Sequence, residues 1–306
     1  MDRPDLGFYR AQSALSSPGR FAAIYDGLPN DLAGLCLAVQ NALLHQFWIH
    51  DEANYGVSSA ALQASGRKLN DEINLRTVED ELSLLARFDS HPLTQAREPQ
   101  NRVVGNCRHY ALLLTSMLRH QGVPARVRSG VAPYFYPDGE TWEDHFICEC
   151  WDEVRSRWRR VDPQIDDLQR RVLGFALDAC DLPPGQFLDA GETFVWFAEG
   201  RIRPEKVGIF DYRGAMYVRY KLLSDLASVC GVEVLPWEVW GLCADNDADR
   251  LSPEDLTLLA HVARVLERLA LDPAQFAEAQ RLFHDHARLR MPQDYQPVYW
   301  KLPLFG

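Results

Sequence analysis

Asn106-Cys107-Arg108-His109-Tyr110-Ala111-Leu112-Leu113-Leu114-Thr115-Ser116-Met117-Leu118-Arg119-His120-Gln121-Gly122 reads as one helix with a cysteine in its first turn. Asn106 is a good N-cap, Gly122 suits the left-handed residue that follows a helix, and Pro124 forbids continuation. Tyr110, Leu113, Leu114, Met117 and Leu118 recur at spacings of three and four, an apolar stripe that would bury the helix against a sheet. Cys107 then sits where unpaired backbone N–H groups and the macrodipole favour thiolate over thiol, and the thiolate is the nucleophile. A lone cysteine is more often a small buried hydrophobe, so its company decides.

Downstream the period changes. Residues 125–132 alternate, valines on one face and arginines on the other, as a half-buried strand would. Residues 133–144 read as a loop with Pro-Asp-Gly turn chemistry and four aromatic side chains, Tyr134, Phe135, Tyr136 and Trp142. Strands follow over His145–Trp151 and Trp158–Asp162, the second ended by Pro163. A hairpin turn centred between Glu153 and Val154 makes His145 and Asp162 direct cross-strand neighbours, close enough for the carboxylate to accept a hydrogen bond from the imidazole. A shift of two residues would break the opposition and keep the face. Cys107, His145 and Asp162 are the types that acyl transfer requires: thiolate attack, imidazolium protonating the leaving group, and a carboxylate fixing the tautomer. A strand-edge histidine or an Asp-Pro strand end means little singly; the order together with the elements carries the reading.

Working outward, 306 residues with 47% hydrophobic content allow one large or two ordinary domains with a substantial core. A net charge of −11 leaves no electrostatic footprint for nucleic acid and disfavours an anionic membrane surface. No leader pattern opens the sequence and no run approaches 18 apolar residues, so the reading is a soluble, cytoplasmic protein. Seven cysteines (36, 107, 148, 150, 180, 230, 243) without C-x-x-C pairs suit reduced thiols and no structural zinc.

Residues 1–90 read mainly as helices, opened at Asn30-Asp31 and at Thr77 to Asp80, with residues 58–67 as a loop. The stretch His45 to Asp51 gathers imidazole and aromatic groups near a helix end, and could line a cleft or belong to the core. Helices are expected over 191–198, 215–229, 252–269 and 272–290. Asp245 to Asp249 fails as a calcium loop because Arg250 stands where glycine is needed and Leu256 where glutamate is. The arginines at 155, 157, 159 and 160 read as a solvated hairpin edge.

As a set, Asn106-Cys107-Arg108 opening an apolar helix, Leu118 to Arg126, Asp144-His145 opening a strand, and Trp158 before Val161-Asp162-Pro163 resemble the transglutaminase-like superfamily over roughly residues 101–165. The resemblance implies an α+β, papain-like core, with Cys107 as nucleophile, His145 as general acid/base and Asp162 as orienting carboxylate. It also implies a peptide, amide or thioester-linked acyl substrate, carrier-bound acyl groups included, with no cofactor and no metal. Many members place a small residue and an aromatic after the histidine; Phe146 and Ile147 stand there instead. The Cys107 N–H is the natural oxyanion donor, with a second sought near Trp48. Asn106, Tyr134, Phe135, Tyr136 and Trp142 complete the candidate substrate wall, the aromatics serving either as a groove or as loop packing. The expected organisation is a catalytic domain over 1–245 with a helical extension over 246–306. The rival reading is a binding or scaffold protein that retains the fold.

Overall fold

Side-chain caps set the helix starts. The computed structural model describes residues 3–174, 176–244, 251–292 and 295. Asp31 accepts from the Gly34 N–H and opens helix α1 (Leu32–Ala42). Asn106 accepts from the Arg108 N–H while the His109 ring accepts from the Asn106 N–H, a reciprocal cap that opens α2 (Cys107–His120). Such a cap contributes about 1 kcal/mol and fixes where Cys107 stands. Gly122, at φ +79°, lets the chain leave.

Every residue of α2 from Cys107 to Arg119 is buried, which exceeds the one-sided stripe expected from periodicity. The polar members are accommodated individually: Arg108 donates to the carbonyls of Arg76 and Glu233, and Arg119 to the Ala125 carbonyl, Ser16 Oγ and Glu233 Oε1. One face of α2 meets Val127, Phe146, Cys148 and Val161, and α1 and the helix Val78–Phe88 cover the rest.

Two short strands, β1 (Leu43–His45) and β2 (Val103–Gly105), pair in parallel and set His45 beside Gly105. The main sheet runs β6 (Leu188–Asp189), β3 (Ala125–Ala132), β4 (Trp142–Asp152), β7 (Val207–Ile209), β8 (Tyr212–Arg213), with β5 (Arg157–Val161) also on β4. It is antiparallel except where β7 runs parallel to the start of β4. β4 uses one edge for two partners, β7 along residues 142–143 and β5 along 148–152. Between them, residues 144–147 pair with β3 alone, and the site opens at that gap.

The fold class stands as read: α+β, with a curled sheet packed on the helix that starts at Cys107. Four local expectations change. β3 is buried throughout, because Arg126 and Arg128 are neutralised inside by Glu149, Asp189 and Asp225. Residues Ser59–Ala64 form a helix capped by Ser58 in place of a loop. β4 starts at Trp142, three residues early, because β7 offers it a partner there. The basic run is not simply solvated: Arg157 pairs with Asp181, and Arg160 with Glu149, Asp189 and Glu192.

Toward the C-terminus, α3 (Ala190–Ala198), α4 (Ala215–Val229), α5 (Pro253–Arg268) and α6 (Ala274–Asp285) follow. α4, α5 and α6 share an apolar core that also receives Ile49, Leu62 and Ile73. The Asp245–Asp249 run and the boundary placed at 245/246 lie outside the described residues. Among the described residues no helix is long and apolar enough to cross a membrane.

Candidate active site

A cavity of about 430 Å³ lies at the gap in β4, lined by His45, Gln46, Phe47 and Trp48 on one side and Asn106 and Cys107 on another. Phe135, Tyr136 and residues 143–145 form a third wall, and Gln164, Ile209, Pro236 and Trp237 close it. Cys107 is 7% exposed and lines this space.

The hairpin register differs from the expected one by two residues. Cys148 faces Val161 and Asp152 faces Arg157, so Asp162 stands past the end of β5, diagonal to His145 and not opposite it. The turn is two residues longer on its far side, its centre falling between Val154 and Arg155, with Ser156 in the left-handed region at φ +51°. The face is kept, because a two-residue shift preserves alternation. His145 Nε2 and Asp162 Oδ2 are 2.8 Å apart, and both side chains are buried.

Three donors serve that carboxylate: the His145 ring, the Tyr134 hydroxyl on the same Oδ2 at 2.6 Å, and the Gln164 N–H on Oδ1 at 3.0 Å. The Phe135 and Tyr134 rings meet the imidazole edge-on at 4.9 and 5.9 Å between centroids and hold its plane. With Nε2 bound to Asp162, Nδ1 is the ring nitrogen left for a thiol. Opposite His145 on β3 stands Gly130, where a Cβ would fall 2.0 Å from the Leu188 carbonyl oxygen.

Burial pushes the Cys107 thiol well above its usual range, and the nearby Asp144 carboxylate adds to this. Lys221 and a hydrogen bond from the Phe146 N–H to the sulfur oppose it. That N–H is available because β4 has no strand on that edge there. Lys221 and Asp144 form a buried ion pair, with the ammonium 4.1 Å from the Phe146 ring centroid. Burial, with the neighbouring His145 second, lowers His45 to about 3, so it is a neutral imidazole near pH 7. Burial raises Glu143 to about 7 against hydrogen bonding by Tyr136 and the charge of Arg213.

Of the residues named from sequence, Cys107, His145, Trp48, Asn106, Phe135 and Tyr136 line the cavity. Asp162 stands behind His145. Two aromatics go elsewhere. Tyr134 is turned onto Asp162, and Trp142 packs with Val131, Leu188, Val207 and Trp196 because its strand begins there. The stretch that begins at His45 supplies His45, Gln46, Phe47 and Trp48 to the lining, whereas sequence reasoning missed Glu143 and the Asp144–Lys221 pair. Lys221 left one signal, a lone lysine on the apolar helix over 215–229. Among the described residues no group of three His, Cys, Asp or Glu is placed to hold a metal ion, and the lining has no lysine or arginine.

Residues 61–163 match a family model described as the transglutaminase-like superfamily, a segment that contains Cys107, His145 and Asp162. No curated protein matches the chain. A solved structure from Cytophaga hutchinsonii, described as a candidate cysteine protease, shares 15% identity. The match covers 62% of this chain and less than half (46%) of that one, with a TM-score of 0.32, too loose a superposition to carry function.

Proposed function

We propose, from the premise of a transglutaminase-like core over residues 61–163, that this protein is a cysteine enzyme forming an acyl-thioester on Cys107 from an amide or thioester donor. The observation that carries the reading is the Asp162–His145 hydrogen bond at Nε2, which leaves Nδ1 for a thiol on a histidine that lines the same cavity as Cys107. Because burial disfavours an isolated thiolate, proton transfer from Cys107 to His145 accompanies attack on the carbonyl. Negative charge on the carbonyl oxygen meets the Cys107 N–H at the helix start. The imidazolium, stabilised by Asp162, protonates the departing amine or thiol, and water or an amine then releases the acyl group. Asp144 is paired with Lys221, and Glu143 is raised to about 7 beside Arg213, so the lining carries little uncompensated charge and suits a neutral substrate.

Incubation with a panel of peptide amides and acyl thioesters, followed by intact mass and tryptic mapping, tests this. The acyl mass belongs on residues 103–108, and disappears in Cys107→Ala and His145→Ala. Decay accelerated by added amines marks a transferase, and decay indifferent to them a hydrolase. The raised Cys107 thiol favours the alternative, a binding protein that keeps the fold. Acyl label absent with every donor, or spread over other residues, would select that alternative.

A further inference from the structure

Three side-chain amide atoms on residues that line the cavity are buried and lack a hydrogen-bond partner among the described residues: Gln46 Oε1, Asn106 Nδ2 and Gln164 Oε1. Folded proteins leave few such atoms, and a ligand is one reason to keep them. Which end of an amide stands free is settled by the partners of its other end. At Asn106 the cap settles it, because Oδ1 takes the Arg108 N–H and Nδ2 remains.

At Gln164 the orientation is passed along a chain of groups that ends on a carboxylate. Asp166 accepts on both oxygens, from the Gln169 N–H at 2.8 Å on Oδ1 and from the Tyr55 hydroxyl at 2.6 Å on Oδ2. Burial and the Asp166 charge raise the Tyr55 hydroxyl, so its proton stays and is committed to Asp166. Tyr55 has only lone pairs to offer Gln169, which turns its Nε2 toward them at 3.4 Å. Gln169 Oε1 is left to accept from Gln164 Nε2 at 3.2 Å, and the free end of Gln164 is therefore an acceptor, Oε1.

The backbone around Gln164 is pinned as well. Its N–H donates to Asp162 Oδ1 at 3.0 Å, and the Gln40 side chain donates to the carbonyls on either side, Pro163 at 3.1 Å and Ile165 at 3.2 Å. An acceptor already fixed in place and direction loses little freedom when a ligand's N–H meets it.

We propose that Gln164 Oε1 is a specificity element of the cavity, accepting a hydrogen bond from an amide N–H carried by a neutral acyl donor. Tyr55 and Gln169 are positioning residues that keep the acceptor end of Gln164 free. An analogue with oxygen in place of that N–H sets acceptor against acceptor and is rejected. That the ligand is an acyl donor rests on the acyl-enzyme reading above; the recognition of an N–H does not.

The test is binding to the full chain carrying Cys107→Ala, in which every ligand stays intact. The ligands are the N-acetyl dimethylamides of alanine, leucine and phenylalanine, each with a single N–H, and their counterparts with an ester oxygen at that position. Calorimetric titration should show at least one N–H ligand binding about tenfold or more tighter than its ester counterpart. Adding Gln164→Met should bring that ratio to within about twofold while the ester ligand keeps its affinity. Adding Tyr55→Phe instead lets Gln169 invert, and the ratio should fall by at least about threefold with ester binding unchanged, which lost packing alone would not produce. Should Gln164→Met fail to fold, Tyr55→Phe decides. Ratios near one for all three side chains, or no binding by any ligand, overturn the proposal, and a ratio indifferent to Gln164→Met assigns the N–H to another acceptor and overturns it too. A ratio indifferent to Tyr55→Phe overturns the positioning chain. Selectivity without any acyl label on Cys107 would defeat the acyl-enzyme and leave this inference standing, whereas a labelled Cys107 without selectivity would do the reverse.

Discussion

Two sets of ionisable groups are buried along one face of β4, four residues apart, and they are built on opposite principles. At Glu149 the charges are closed on themselves. Its oxygens take Arg126 at 2.7 Å, Arg128 at 3.1 Å and Arg160 at 3.2 Å, while Asp225 and Asp189 take what remains of Arg128 at 2.8 and 3.0 Å. Accordingly Glu149 is held below the usual carboxylate range, its three arginines outweighing burial. At His145 the set is left open: Asp162 has three donors, yet His145 has one nitrogen without a place in that network and Cys107 has a cavity in front of it. Charges paired with one another make a scaffold, whereas a ring nitrogen left outside the network beside a cavity makes a candidate site.

Substitutions can break or sharpen that contrast. Asp162→Asn keeps the shape while presenting the wrong hydrogen-bond partner to His145, so acyl-enzyme formation should fall by about 10²–10⁴ with the melting curve little moved. A protein that instead unfolds would place Asp162 with the scaffold. Arg128→Met leaves Asp225 and Glu149 facing an uncharged side chain. The expected loss is about 3–5 kcal/mol in chemical denaturation, with acylation per folded molecule retained.

Tyr134→Phe removes one of three donors from the Asp162 carboxylate, and a roughly tenfold slower acylation is expected from the loss of a charge-assisted bond. If only stability changed, Tyr134 would belong to loop packing.

A pH-dependent effect concerns His45, whose folded value of about 3 lies below its unfolded value near 6.5. The folded state keeps it neutral, so its contribution is full above pH 6.5 and is lost as pH falls toward 3. Stability should drop by up to about 1.4 kcal/mol per pH unit in that window, and His45→Gln should flatten the slope measured by urea titration.

Much of this was written locally. Asn106, Gly122 and Pro124 bracket α2 to within a residue, and the caps at Asp31, Thr77 and Ser252 start their helices where expected, because capping is a contact among neighbours in sequence. Parity along the hairpin placed His145 and Asp162 on one face. The register itself was not legible, since it depends on a turn whose Ser156 adopts a left-handed backbone that no glycine announces. Nor was the burial of Arg126 and Arg128, because alternation of valine and arginine reads identically whether the polar face meets water or carboxylates from Asp189 and Asp225.

By itself the sequence determined the order of elements and singled out three candidate side chains, since propensity, caps and period are properties of contiguous residues. The tertiary structure alone decided that β4 would divide one edge between β7 and β5, and that His45, Lys221 and Trp237 would converge where the strand is left unpaired. The physical reason is that strand pairing and desolvation are settled between segments far apart in the chain.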